Sequence, residues 1–237
     1  PDIISGVSIG AVAGVFIADG CSPLEVLDLF VSREFRSFTG LTRLRGGFMD
    51  LDNCYDFLND NLSVKRIEEL NIPLVVTATN LDTGRSVHFD EGEIAPRVAA
   101  SCCVPGLFLP IEIDGDRYVD GGVLMNLPVS VIRGRCEKVV AVNLSRIVPD
   151  REYNHNVIGI LLRTYHLMSH SNITHDRRIA DILIEPDGLE AYGNRQLDRG
   201  REIFGIGYEA ASKVLEHVGE IVFPKVDGVS RNTEDDG

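Results

Sequence analysis

Ser8 stands at the centre of Gly6-Val7-Ser8-Ile9-Gly10, a Gly-x-Ser-x-Gly pattern. A serine hydroxyl becomes a useful nucleophile when a sharp turn exposes it and a neighbouring base takes its proton. The flanking residues predict such a turn. Ile3 to Val7 is a short apolar strand, and "GAVAGVFIA" after Ser8 is a nearly all-apolar helix. Glycines at positions 6 and 10 are expected to avoid collisions with neighbouring backbone. The helix aims its positive end at any anion forming beside Ser8, and the Ile9 N–H is one candidate oxyanion donor.

A nucleophilic serine needs a base. His155, His166, His170, His175 and His217 all follow Ser8, but none falls in a short loop just after a predicted strand, where a triad histidine belongs. His88 lies inside a predicted strand. Asp120, in "YVDGGVLMNLP", ends a strand, and Gly121 and Gly122 let the backbone turn closely around it. In an apolar pocket such a carboxylate gains basicity and can accept the serine proton directly. Asp-Gly is also ordinary turn chemistry, so Asp120 by itself reads first as a turn aspartate capping its own backbone.

The elements that must position these two residues follow from pattern. "CSPLEVLDLF" starts a helix with a capping box, Ser22 with Glu25, and Pro23 in the first position. Asp52 to Leu62 is a helix, and residues 32–50 form a looser connection marked by Gly40, Gly46 and Gly47. "IPLVVTATNL" from Ile72 is a buried β-branched strand, with "SVHF" pairing beside it after the turn "DTGR". Ile94 to Cys102 is a short helix stopped before Pro105 and Gly106. "IEIDGDRYVDGG" is a hairpin turning at Asp114-Gly115. Asn126 is placed to cap a short helix with Pro128 in its first turn. "KVVAVNL" is a further buried strand, Asn156 to Ser171 a long amphipathic helix, "ADILIEP" a strand, and Gln196 to Val218 the last long helix. Strands alternate with helices, and the inner strands are apolar on both faces. The expected fold is therefore three-layer α/β/α with a central, largely parallel sheet and a nucleophile elbow. One domain should cover residues 1–225, followed by a polar tail over 226–237 that has no core to make.

Composition removes several function classes. The formal charge of −13 opposes a nucleic-acid surface and simple docking on anionic lipid. No apolar run approaches the ~20 residues of a spanning helix. The five cysteines (Cys21, Cys54, Cys102, Cys103 and Cys136) match no disulfide or metal spacing and suit reduced thiols in a cytoplasmic protein. Cys102-Cys103 has no basic neighbour in sequence and reads as a pair of buried structural thiols. His166 and His170 sit four apart, but Leu167 stands where a metalloprotease helix carries its glutamate. No metal and no cofactor is expected.

"GVSIGAVAG" and "AASCCVPGLFLPIEIDGDRYVDGGVLMNLPV", with Asp120 112 positions after Ser8, together resemble the patatin-like phospholipase family. "PLVVTATNLDTGR" and "ADILIEPD" are similar to it as well, so the likeness runs from Pro1 to about Pro224. The resemblance implies a Ser–Asp dyad without histidine, with Ser8 as nucleophile and Asp120 as general base. It implies a serine lipid acyl hydrolase of the phospholipase A or esterase type, acting on glycerolipids through an acyl-serine, with peripheral membrane contact. It also implies a glycine-rich oxyanion loop well upstream of the serine. This chain begins at Pro1, after the point where that loop would lie, and the natural protein is expected to be longer. Two alternatives stand beside this reading: a lipid-binding protein of the same fold with weak or no turnover, and a histidine-dependent α/β-hydrolase.

Overall fold

The computed structural model describes residues 1–33, 35, 44–45, 48–49, 52–144, 147–150, 153–189, 192 and 199–222. The connection over 36–43, the Gly46-Gly47 pair and the tail over 226–237 lie outside the described residues.

The central strand is β4 (Leu74–Asn80), and all seven of its residues are buried. Side chains alternate across a strand, so a strand buried on both faces must divide its residues between two cores. Leu74 and Val76 enter the larger core with Ala11, Val12, Val15, Phe16, Leu58, Val98 and Ala99. These come from α1 (Ile9–Asp19), α3 (Asp52–Asn61) and α4 (Ile94–Ser101). Val26 of α2 (Pro23–Val31) joins them. Val75, between them, enters a second core with Leu127, Ile132, Val139, Ala141 and Ile173. That core is covered by α5 (Val129–Arg133) and by the parallel pair β8 (Val140–Val142) and β9 (Ile182–Ile184). The result is the expected sheet between two helical layers. The long helix α6 (Val157–Ser171), the short α7 (Thr174–Ile179) and α8 (Gly200–Val222) complete the chain.

The central sheet, of β1 (Ile4–Val7), β4, β5 (Arg85–Phe89), β6 (Ile111–Ile113) and β7 (Asp116–Asp120), is mixed, and β1 runs parallel to β4. β8 and β9 pair in parallel as a separate two-stranded sheet. The two predicted hairpins supply the antiparallel pairs: β5 returns along β4, and β6 pairs with β7. Asp114 and Gly115 take left-handed backbone, φ 53° and 91°, as a tight two-residue hairpin requires. A small ribbon, β2 (Leu44–Arg45) with β3 (Phe48–Met49), stands apart.

The register on β4 places the two chemically interesting segments. β1 pairs with Leu74 through Thr77, ending Val7 opposite Thr77. β7 runs antiparallel over Ala78 to Asn80, with Asp120 opposite Ala78. β5 spans Val76 to Asn80 and overlaps both registers, so it must occupy the other edge of β4. β1 and β7 therefore share one edge, and their C-terminal ends meet head to head between Thr77 and Ala78.

Most other local expectations hold to within two residues, but the last helix runs on to Val222, four residues past the expected Val218, and its expected start at Gln196 lies outside the described residues. The Ser22/Glu25 capping box forms in both directions, at 3.3 and 2.7 Å. Asn156 caps α6 by accepting from the Gly159 amide at 2.8 Å. Asn126 does not cap the short helix; Pro128 itself is the N-cap residue of α5, because the chain bends there at φ −80°, ψ 53°. Among the described residues no helix is long and apolar enough to cross a membrane.

Phe16 on α1 is fully buried and meets Phe57 edge to face at 5.6 Å, and Phe57 meets Phe35 at 5.4 Å. Truncating it removes the apolar area and leaves a cavity in the core that seats α1. Phe16→Ala should lower unfolding stability by roughly 3–5 kcal/mol, measured by urea denaturation.

Candidate active site

Ser8 occupies the turn between β1 and α1 with φ 52° and ψ −129°. This left-handed conformation is disfavoured for a side chain-bearing residue and costs of the order of 1–3 kcal/mol. The surroundings hold it there. The Ser8 carbonyl accepts from the Ala11 and Val12 amides, at 2.8 and 3.2 Å, so α1 begins directly on the strained residue. The Ser8 amide donates to Ser101 Oγ at 2.8 Å, and Ser101 Oγ donates to the Thr77 carbonyl at 2.7 Å. Ser101 is fully buried at the end of α4. Its hydroxyl thus ties the elbow to the point on β4 where β1 ends. The Ser8 amide is spent in this bond. Among the described residues no acceptor takes the Ile9 amide, which leaves it as the open donor of the helix's first turn.

Asp120 is fully buried and N-caps the turn that follows it: its Oδ1 accepts from the Gly122 amide at 2.8 Å. Its own amide donates to the Cys103 carbonyl at 2.9 Å. Both readings of this aspartate are therefore present in one side chain, since one oxygen serves the turn. The other, Oδ2, is buried with no hydrogen-bond partner of full geometry. Burial pushes the carboxyl up to about 6, against the opposing pull of the Ser8 hydroxyl, the Gly122 amide and the Tyr165 hydroxyl. A carboxylate so placed is largely ionised near neutral pH and more basic than an exposed aspartate.

The glycines have unequal reasons. A Cβ on Gly6 would lie 2.6 Å from the Gly10 carbonyl oxygen and 2.8 Å from Ala11 Cα, where α1 crosses the strand. A Cβ on Gly121 would lie 2.4 Å from the Thr77 carbonyl oxygen and 2.8 Å from Val7 Cγ2, directly in the seam between the two strands. One on Gly122 would meet the Tyr165 hydroxyl at 2.5 Å and Asn126 Oδ1 at 2.9 Å. Gly10 departs from expectation: nothing lies within 4 Å of its Cβ position, because the first turn of α1 faces outward there. Crowding explains Gly6 and not Gly10.

The site also contains residues that sequence reasoning passed over. Ser101 sat unremarked between the alanines and cysteines of its helix. Tyr165 lay beside the histidines that drew attention to α6; its spacing of four from Ser169 was the available signal. Cys102 lies against Ser8, and burial raises its thiol well above the ordinary value; the Cys103 thiol is pushed up to about 12. Both are neutral at physiological pH, as expected for buried structural thiols. No histidine hydrogen-bonds to Ser8 or Asp120 among the described residues. His88 instead bonds Thr77 Oγ1 through Nδ1 at 3.1 Å. Among the described residues no three His, Cys, Asp or Glu side chains gather as metal ligands.

Two predictions follow from this geometry. Gly121→Ala should displace the strand seam and sharply reduce the melting temperature, whereas Gly10→Ala should fold normally; thermal melts of the two variants check this. The raised Asp120 carboxyl also has a stability consequence. The folded chain holds this proton more tightly than the unfolded one, so stability is fully present below about pH 4 and falls as pH rises through about 6. Asp120→Asn should abolish that loss and be more stable at pH 8 by on the order of 2–3 kcal/mol, read from urea melts at pH 5 and 8.

The family model described as patatin-like phospholipase matches residues 1–132. An uncharacterized NTE family protein of Mycobacterium bovis is 34% identical over 165 residues, covering 65% of this chain and 44% of that protein. Lysophospholipase NTE1 of Saccharomyces cerevisiae is 28% identical over 186 residues, 73% of this chain and 11% of that protein. A probable lipid hydrolase of Invertebrate iridescent virus 6 is 24% identical over 148 residues, 53% of this chain and 51% of that protein. The chain thus spans less than half the length of the mycobacterial relative that it matches. A match over more than half of the chain, on a strand–serine–helix elbow and a buried Asp-Gly-Gly turn, establishes that the chain belongs to the patatin-like phospholipase family.

Proposed function

We propose that this chain carries the catalytic domain of a serine lipid acyl hydrolase, cleaving carboxylic esters of glycerolipids with Ser8 and Asp120 as a dyad. The observation that carries the reading is the shared edge of β4. Val7 and Asp120 sit opposite consecutive residues, Thr77 and Ala78, so the nucleophile and a buried carboxylate converge without any histidine.

In this mechanism the Ser8 hydroxyl proton passes to Asp120 as Oγ attacks the ester carbonyl carbon. The carbonyl oxygen gains the negative charge and is met by the Ile9 N–H and the positive end of α1. Collapse of the tetrahedral intermediate breaks the ester C–O bond. The leaving alcohol takes the proton from Asp120, and the acyl group remains on Ser8. Water then attacks the acyl-serine, giving its proton to Asp120. The fatty acid leaves, and the proton returns to Ser8 Oγ. Asp120, with one oxygen anchored by Gly122 and the other unpartnered, is suited to accept and return that proton without rotating.

Relatives named as a lysophospholipase and a probable lipid hydrolase support lipid esters as the substrate class. Peripheral contact with a lipid surface accompanies that class. Exposed apolar side chains on α6 (Val157, Ile158, Ile160 and Leu161) lie on the helix that also carries Tyr165 to the site.

Ser8→Ala and Asp120→Asn should each lower p-nitrophenyl ester hydrolysis by at least ~10³-fold in the full-length protein, since units that act together fail together. A fluorophosphonate probe should label the wild type at Ser8 and leave Asp120→Asn almost unlabelled. Full hydrolysis by Asp120→Asn would overturn the dyad. A wild type that neither hydrolyses nor labels would indicate a binding protein of the same fold.

A further inference from the structure

Helix α6 is fastened to the turn that carries Asp120. Asn172, its C-cap residue, donates from Nδ2 to the Gly122 carbonyl at 2.9 Å and to the Val123 carbonyl at 3.2 Å. The Asn172 Oδ1 accepts from the Asn126 amide at 2.9 Å. Further along, Leu161 packs over Gly106, with Cβ and Cδ1 both 3.5 Å from the Cβ position of that glycine. Between these anchors, Tyr165 projects its hydroxyl over Gly122, into the space a side chain there would need, 2.5 Å from the Gly122 Cβ position. Asp120 Oδ1 is 3.2 Å from the same position. Ser169, one helical turn on, is buried, and its hydroxyl has no hydrogen-bond partner of full geometry.

We infer that Tyr165 is a positioning residue for the general base: its phenol, set by α6 and backed by Ser169, holds the Asp120 carboxylate in its ionised, proton-accepting orientation. This inference rests on the dyad reading. The Ser169 hydroxyl favours the Tyr165 oxygen, and the Tyr165 hydroxyl favours the Asp120 carboxylate, drawing its pKa down against burial. Burial and the Asp120 charge keep the phenol itself protonated far above physiological pH, so it acts as a donor throughout the working range.

The other groups facing Asp120 do not titrate there. Cys102 and Cys103, at the end of α4, are buried thiols raised far above neutrality. On the turn side the Gly122 amide donates to Oδ1, and from the elbow the uncharged Ser8 hydroxyl faces the carboxylate. Tyr165 is thus the adjustable contact between a helix and the base.

Tyr165→Phe removes the one oxygen that lies over Gly122 and keeps the rest of the side chain. In the full-length protein, the acid limb of kcat/KM for a p-nitrophenyl ester should move up by about 0.5–1 pH unit. Activity at pH 6 should fall ~3–10-fold with KM changed less than ~2-fold, and recover toward wild type at pH 8.5, where Asp120 is ionised regardless. Ser169→Ala should shift the limb the same way by a smaller amount. Thr164→Ala, whose hydroxyl turns back to the Ile160 carbonyl at 2.8 Å, should leave the limb in place. An unshifted limb in Tyr165→Phe, an equal loss at every pH, or failure of that variant to fold would each overturn the positioning role. If Asp120→Asn is inactive while Tyr165→Phe keeps the wild-type profile, only this inference falls. If Asp120→Asn is active, the dyad itself falls.

Discussion

Everything at this site depends on one seam in the sheet. A single edge of β4 is divided between two strands that arrive from opposite directions, β1 as far as Thr77 and β7 from Ala78. Strand pairing fixes backbone positions to within fractions of an ångström, because each ladder bond tolerates little displacement. Ser8 and Asp120, placed at the two ends of that division, inherit this precision without needing a third residue to bridge them. The small residues around the seam follow from the same constraint. Gly121 lies so close to the Thr77 carbonyl that no side chain fits, and Gly6 lies under the first turn of α1.

The seam has an energetic cost that the rest of the fold must offset. A left-handed serine and a buried carboxylate with an unpartnered oxygen both disfavour the folded state, by a few kcal/mol together. The offset comes from ordinary burial on either side of β4. Leu74 and Val76 bind one helical layer and Val75 the other, so the strand that carries the seam is the most thoroughly packed in the sheet. Strain is concentrated where the surrounding structure is least able to relax.

Much of this was legible in the sequence, because the signals were local. The elbow follows from a Gly-x-Ser-x-Gly between an apolar strand and an apolar helix, and the capping box at Ser22 and the hairpin at Asp114-Gly115 carry their own chemistry. Asp120 was ambiguous from its residues, and the structure shows why: Oδ1 caps the turn while Oδ2 is left for other work. The mixed character of the sheet was half visible, since each hairpin announces its own antiparallel pair but not which edge of β4 it joins. What the sequence hid depends on long-range contact. Ser101 reaches Ser8 across 93 positions, and Tyr165 meets Asp120 only because Asn172 fastens α6 to the turn. Gly10 shows the reverse error, where a motif position was given a steric reason that the open space around it does not support.

The two backbone amides of the dyad end in the same short segment. The Ser8 amide is held by the Ser101 hydroxyl, and the Asp120 amide by the Cys103 carbonyl, two residues later. The end of α4 therefore acts as a common mount. A displacement of that mount would carry the Ser8 and Asp120 backbones in the same direction, because both are bonded to it.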